Sequence, residues 1–219
     1  ANVSSAQQSE VGVLDSNSTV GNVIQANTGI GNQNLVNIGS AYNSTAGGIV
    51  TENKVGNVVQ AAGGMGNNNE INIGSVKNST VDGFRAETNV GNIVQTTAGV
   101  SNLNEANIGA IRNSGAGHVN TKTNLGNLVQ NSAGIANHNE VNLGSVRNGH
   151  IGSMDVNVNA GNIVQNAVGI ANWNTVNVGS VKNSEAGTHK ANVSVGNIVQ
   201  TSVGVGKEAA VNVGSVIIE

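Results

Sequence analysis

The chain has 219 residues, a net charge of −3 and a charged fraction of only 10%. That balance excludes a nucleic-acid reader, which needs a basic stripe against phosphates, and recurrent Val and Ile in a weakly charged chain exclude disorder. Without Cys there is no disulfide framework or Cys-ligated metal; one Trp, one Tyr and one Phe leave a thin aliphatic core, and no apolar run has the length of a membrane span.

In chain order, residues 1–18 come first as a partial repeat. Asn2-Val3-Ser4-Ser5-Ala6 aligns with Asn37-Ile38-Gly39-Ser40-Ala41, and Gly12 aligns with Gly47. Full repeats follow at 19–53, 54–88, 89–123, 124–158 and 159–193, and 194–219 is a truncated last unit in one repeat domain, 1–219. Val20-Gly21-Asn22-Val23-Ile24-Gln25 returns as Val55–Gln60, Val90–Gln95, Leu125–Gln130, Ala160–Gln165 and Val195–Gln200, at a constant spacing of 35 residues. Such self-similarity is the signature of stacked repeat architectures. Four residues after each Gln stands a turn glycine: Gly29, Gly64, Gly99, Gly134, Gly169 and Gly204.

A weaker echo lies inside each unit. Shifted by 18, Asn89-Val90-Gly91-Asn92-Ile93-Val94-Gln95 falls on Asn107-Ile108-Gly109-Ala110-Ile111-Arg112-Asn113. The unit therefore reads as two rungs of 18 and 17 residues, with one flat layer of several strands as the alternative. Helical periodicity is missing, Asn and Gly are poor helix formers, and β-branched residues fill the apolar runs. The expected fold is all-β, a β-solenoid or cross-β stack; about twelve rungs at roughly 4.8 Å would give a length of about 60 Å.

The echo also assigns directions. Ile93 and Ile111 are equivalent and point inward, as are Ile163 and Val181. Two residues on, by the period of two, Gln25, Gln60, Gln95, Gln130, Gln165 and Gln200 face inward, matched by Asn43, Asn78, Asn113, Asn148 and Asn183. Amides inside a thin core must be hydrogen-bonded, and identical amides stacked in register form Asn/Gln ladders. The intervening column faces out: aliphatic in one rung (Ile24, Val59, Val94, Val129, Val164, Val199), mostly basic in the other (Lys77, Arg112, Arg147, Lys182). Glu70, Glu105 and Glu140 stand seven residues before three of those cations, and the whole reads as a solvated charged face or a means of registering neighbouring solenoids.

The chain stops inside a repeat at both ends, so Asn2 and Val3 at one end and Val216, Ile217 and Ile218 at the other are the expected assembly ends. Unpaired rungs there would invite another copy. In the last unit Lys207, Glu208 and Ala209 replace the Asn-x-Asn found in the earlier ones. The start at Ala1 fits removal of a signal peptide, or a trimmed chain.

No catalytic constellation, metal set or cofactor motif stands out. His118, His138, His150 and His189 occupy unrelated positions in the repeat and read as variable turn residues. Gly-x-Gly stretches such as Gly29-Ile30-Gly31 lack the strand-turn-helix context of a phosphate loop. Trp173 falls at a turn position and reads as exposed.

Gln95 followed by Gly99 and Asn102 resembles the curlin repeat, and Gly21-Asn22 followed by Gly29-Ile30-Gly31-Asn32-Gln33 resembles the Fap fibre subunits of bacterial functional amyloids. The chain lacks the long linkers and terminal Cys pair of the Fap subunits. The resemblance implies a secreted, non-enzymatic structural subunit that forms a homopolymer on the cell surface, in biofilm matrix or adhesion, with lateral fibre contacts or a nucleating subunit as further partners. A monomeric ice-binding β-solenoid and the repeat stalk of an adhesin are the alternatives; Thr96, Thr97, Thr121 and Thr123 are too scattered for a Thr-columned ice face.

Overall fold

The computed structural model describes residues 1–217. They form a parallel β-solenoid, and among them there is no helix, hence none long and apolar enough to cross a membrane. One turn consists of an outer strand (Val58–Met65), an inner strand (Asn68–Ile73), a short strand (Val76–Lys77) and a long strand (Thr80–Val90). β-Branched residues populate the strands, whose pleated, half-buried surface suits them.

Three corners of each turn hold a left-handed residue: Gly66 (φ 66°) between outer and inner strands, Gly74 (φ 52°) before the short strand, and Asn78 (φ 50°) before the long one. Gly adopts that region freely, and Asn is the side-chain-bearing residue that tolerates it best. The fourth corner, Gly91-Asn92, is tied to the turn before it by the Asn92 backbone N–H, which donates to Asn57 Oδ1 at 2.8 Å.

Every ladder pairs residue i with residue i + 35: Gln60 with Gln95, Asn72 with Asn107, Val76 with Ile111, Phe84 with Val119. The repeat is thus one turn of the solenoid, and the expected division into rungs of 18 and 17 residues is corrected. The internal echo is a likeness between two corners of the same turn. Val90-Gly91-Asn92-Ile93 and Ile108-Gly109-Ala110-Ile111 each carry a glycine into a strand that opens on a buried aliphatic, yet they never stack. An 18-residue register would also set an eight-residue strand against a two-residue one. With six turns instead of twelve rungs, the stack is about 29 Å long.

The outer and inner ladders join in one 11-stranded sheet, because Ile163–Val178 and Ile198–Val213 run unbroken through the corner between them. The short strands form a 7-stranded sheet and the long strands a 6-stranded one. A single apolar cluster fills the interior, with Val58, Ile71, Ile73, Val76, Val81, Phe84 and Val90 supplied by one turn. Each such aliphatic side chain stabilises by about 1.5–3 kcal/mol on burial. The inner strand is covered on both faces, since Asn69, Glu70, Ile71 and Asn72 are all buried.

Candidate functional site

The outer and inner strands face each other across an arch, and side-chain amides lock it. Gln60 Nε2 lies 2.9 Å from Gln25 Oε1, 3.1 Å from the Asn34 carbonyl and 3.1 Å from the Glu70 carbonyl. The same set repeats at Gln95, Gln130, Gln165 and Gln200, so the glutamine column is a continuous ladder. Its members in the four middle turns are fully buried. The inner strand answers in kind: Asn69 Nδ2 donates to Asn104 Oδ1 and to the Thr96 carbonyl, each at 3.1 Å. Outer-strand amides thus hold inner-strand backbone, and inner-strand amides hold outer-strand backbone. Buried amides without such partners would cost about 1–3 kcal/mol each.

Two further asparagine columns run beside these. At the corner, Asn67 donates to Asn102 at 3.1 Å and Asn102 to Asn137 at 3.0 Å. On the far face of the inner strand, Asn72 donates to Asn37 and Asn107 to Asn72, both at 2.9 Å. The Asn69, Asn67 and Asn72 columns were not among the expected ladders, although Asn-x-Asn recurs at the 35-residue spacing in five units. That invariance was the signal, and a turn assignment concealed it.

The expected ladder of Asn43, Asn78, Asn113, Asn148 and Asn183 is corrected. These residues are not in the core: all five are exposed. Each sits at the corner before the long strand with φ between 47° and 50°. Their recurrence reflects backbone conformation, although Asn113 still reaches Asn78 at 3.2 Å along the surface.

The basic column is corrected too. The short strand folds back beside the inner strand and lays its long side chains over Glu70, Glu105 and Glu140, so these charges are not a solvated outer face. Lys77 Nζ lies 2.9 Å from Glu70 and 3.1 Å from Glu105. Arg112 pairs with Glu105 and, at 3.4 Å, with Glu140, which Arg147 also meets at 2.5 Å. Three carboxylates and three cations therefore alternate across the turns as one network. Burial acts most strongly on Lys77 and pulls it down, but Glu105 and Glu70 outweigh it and hold the ammonium above its ordinary value. Burial likewise pushes Glu105 up, and Arg112 with Lys77 overcomes it, leaving the carboxyl below the usual range. Glu140 lies well below that range: burial is opposed by the His138 hydrogen bond, Arg112 and Arg147. The sequence held a clue here. The first turn carries Leu35 with Tyr42 where the next three carry Glu with Lys or Arg, although Thr175 with Lys182 in the turn after them keeps the cation without the carboxylate.

Gly29, Gly64, Gly99, Gly134, Gly169 and Gly204 all have φ between 121° and 134°. They lie inside the outer strands instead of in a free turn. A Cβ at Gly99 would collide with the Gly64 carbonyl oxygen, and the same clash recurs up the column. The histidines are strand residues, not turn residues: His138 bonds Glu140 at 3.2 Å and His189 contacts the Gly179 carbonyl at 2.9 Å. Trp173 also lies within a strand and is partly covered.

At the expected assembly ends, Asn2 and Val3 pair with Asn37 and Ile38. Val216 and Ile217 pair with Val181 and Lys182, and Ile218 lies outside the described residues. Val213 and Val216 are 45% and 54% exposed, while Val178 and Val181 one turn earlier are 0% exposed. Among the described residues no group of three or more His, Asp or Glu is placed to hold a metal ion. The last turn leaves open apolar positions that the following turn covers earlier in the stack. Comparison with known proteins finds no matching family model, no matching curated protein and no matching solved structure.

Proposed function

We propose that this β-solenoid repeat protein is a structural subunit of an extracellular amyloid-like fibre, secreted and polymerised on a cell surface, with no catalytic role. The observation that supports this reading most directly is the glutamine ladder, whose hydrogen-bond set is the same at five successive turns. A stack held this way has no preferred length. A further turn, whether from more of the chain or from another copy, meets the same donors and acceptors and covers the apolar residues left exposed on the last one. Continuation from copy to copy is the cross-β arrangement, in which in-register amides and backbone ladders give high kinetic stability.

Electron microscopy of purified protein, with thioflavin binding and fibre diffraction, tests the proposal. The expected result is unbranched filaments with a meridional reflection near 4.8 Å. Short monodisperse particles that produce thermal hysteresis would refute it in favour of ice binding. Monomers without hysteresis would leave the chain as a spacer, such as an adhesin stalk. A lysine at Val3, on the edge strand, should slow elongation while leaving each solenoid folded.

A further inference from the structure

The outward face of the outer ladder carries no charge. Six segments of eight residues (23–30, 58–65, 93–100, 128–135, 163–170 and 198–205) contain no Asp, Glu, Lys, Arg or His. At the chain's 10% charged fraction, those 48 residues would hold about five charges if placed at random, and every one of the six long strands has at least one. The face is also largely apolar: Ile24 is 74% exposed, Val168 51% and Val203 53%, the valines Val59, Val94, Val129 and Val164 are half-buried, and its polar side chains, such as Asn131 and Asn166, are uncharged. Exposed apolar patches of several hundred Å² mark interaction sites.

We infer that this face is an interface, and that its occupant is a second copy of the chain, packed sheet to sheet. Eight residues at roughly 3.3 Å by five spacings of roughly 4.8 Å give a face of about 600 Å². Two such faces bury about 1,200 Å², the lower bound for a specific stable interface. The period selects the partner. The ridge of Val94 and Val129 rises every 4.8 Å or so, with smaller residues such as Thr96 and Ala98 beside it, and a sheet of the same pitch can set its ridge into that trough along the whole stack. A copy of this chain has that pitch by construction, and a charge-free face meets itself without like-charge repulsion. The long-strand face, with Arg85, Asp155 and Lys190 in one column, has no such freedom. The expected contact is a dry, two-fold symmetric seam with sheets about 10 Å apart. It stands whether or not solenoids also join end to end.

Analytical ultracentrifugation of the wild-type chain and of Val94→Lys/Val129→Lys tests this, with Asn120→Lys on the long-strand face as control. The wild type and the control should pair, and the double lysine variant should pair at least a hundredfold more weakly with an unchanged circular dichroism spectrum. Val94→Thr/Val129→Thr, nearly isosteric, covers the case in which lysines disturb folding and should weaken pairing at least tenfold. Where filaments form, wild-type ones should be two solenoids wide and the variants' one. A monomeric wild type, single-width wild-type filaments, or face variants that pair like wild type would each overturn the inference. So would partition of an unpaired wild type onto phosphatidylcholine vesicles or ice through this face. Filaments of single width would leave the fibre proposal intact, and paired solenoids without filaments would leave only the present one.

Discussion

The arch and the long strand sit in the same turn, share the same 35-residue register and differ in how freely their residues vary. In the arch, the central inward position of the outer strand is Gln in all six turns. In the long strand, one inward column reads Leu14, Ile49, Phe84, Val119, Met154 and His189, six different residues. A buried amide's partner is the same amide one turn away, so changing one member strands two others. An aliphatic column asks only for approximate volume, which many side chains supply. Repetition is therefore strict where hydrogen bonds run along the axis and loose where only packing does.

The comparison can be broken most forcefully at the charged network. Glu105→Gln leaves Arg112 and Lys77 short of a buried counter-charge and should cost about 3–5 kcal/mol. Glu105→Leu with Arg112→Tyr, the pairing present as Leu35 and Tyr42, should recover most of that loss. Solenoid turns can unfold separately, so hydrogen exchange in the Glu105 turn is the appropriate readout beside a denaturant midpoint.

The same network fixes the response to pH. Glu105 and Glu140 titrate below their unfolded value of about 4.3, so their contribution is complete above that pH and disappears as pH falls through the lower folded values. Lys77 is shifted upward, so its contribution is complete below about pH 10.4 and is lost only above it. Thermal melts should show a plateau between these limits, and the Leu/Tyr double variant a shallower acid limb.

Next comes the glycine column. Gly99→Ala places a methyl on the Gly64 carbonyl in a backbone conformation that disfavours side chains. A loss of about 3 kcal/mol is expected in urea titrations. Gln95→Leu keeps the volume of the arch but strands Gln60 Oε1 and two inner-strand carbonyls, for about 2–3 kcal/mol. Phe84→Val, a larger loss of volume but in the long strand, should cost only about 1–2 kcal/mol, because Val119 already occupies the equivalent place one turn on. Equal costs for these last two would remove the distinction between amide and aliphatic columns.

Much of this molecule was legible without coordinates. The 35-residue period, the inward aliphatics Ile93 and Ile111 and the glutamine ladder all follow from repetition combined with the two-residue period of a strand. Tertiary structure decided the rest. Whether 35 residues make one turn or two depends on which N–H meets which C=O, and corners of similar composition at Gly91 and Gly109 cannot specify that. Glu105 and Arg112 pass for surface residues in any one-dimensional reading, because strand alternation describes one face at a time. Only the fold-back of the short strand over the inner one makes both of the inner strand's faces interior. Asn113 shows the converse: a column of five asparagines at the same 35-residue spacing stands at the surface, held there by a left-handed backbone that no alternation rule contains.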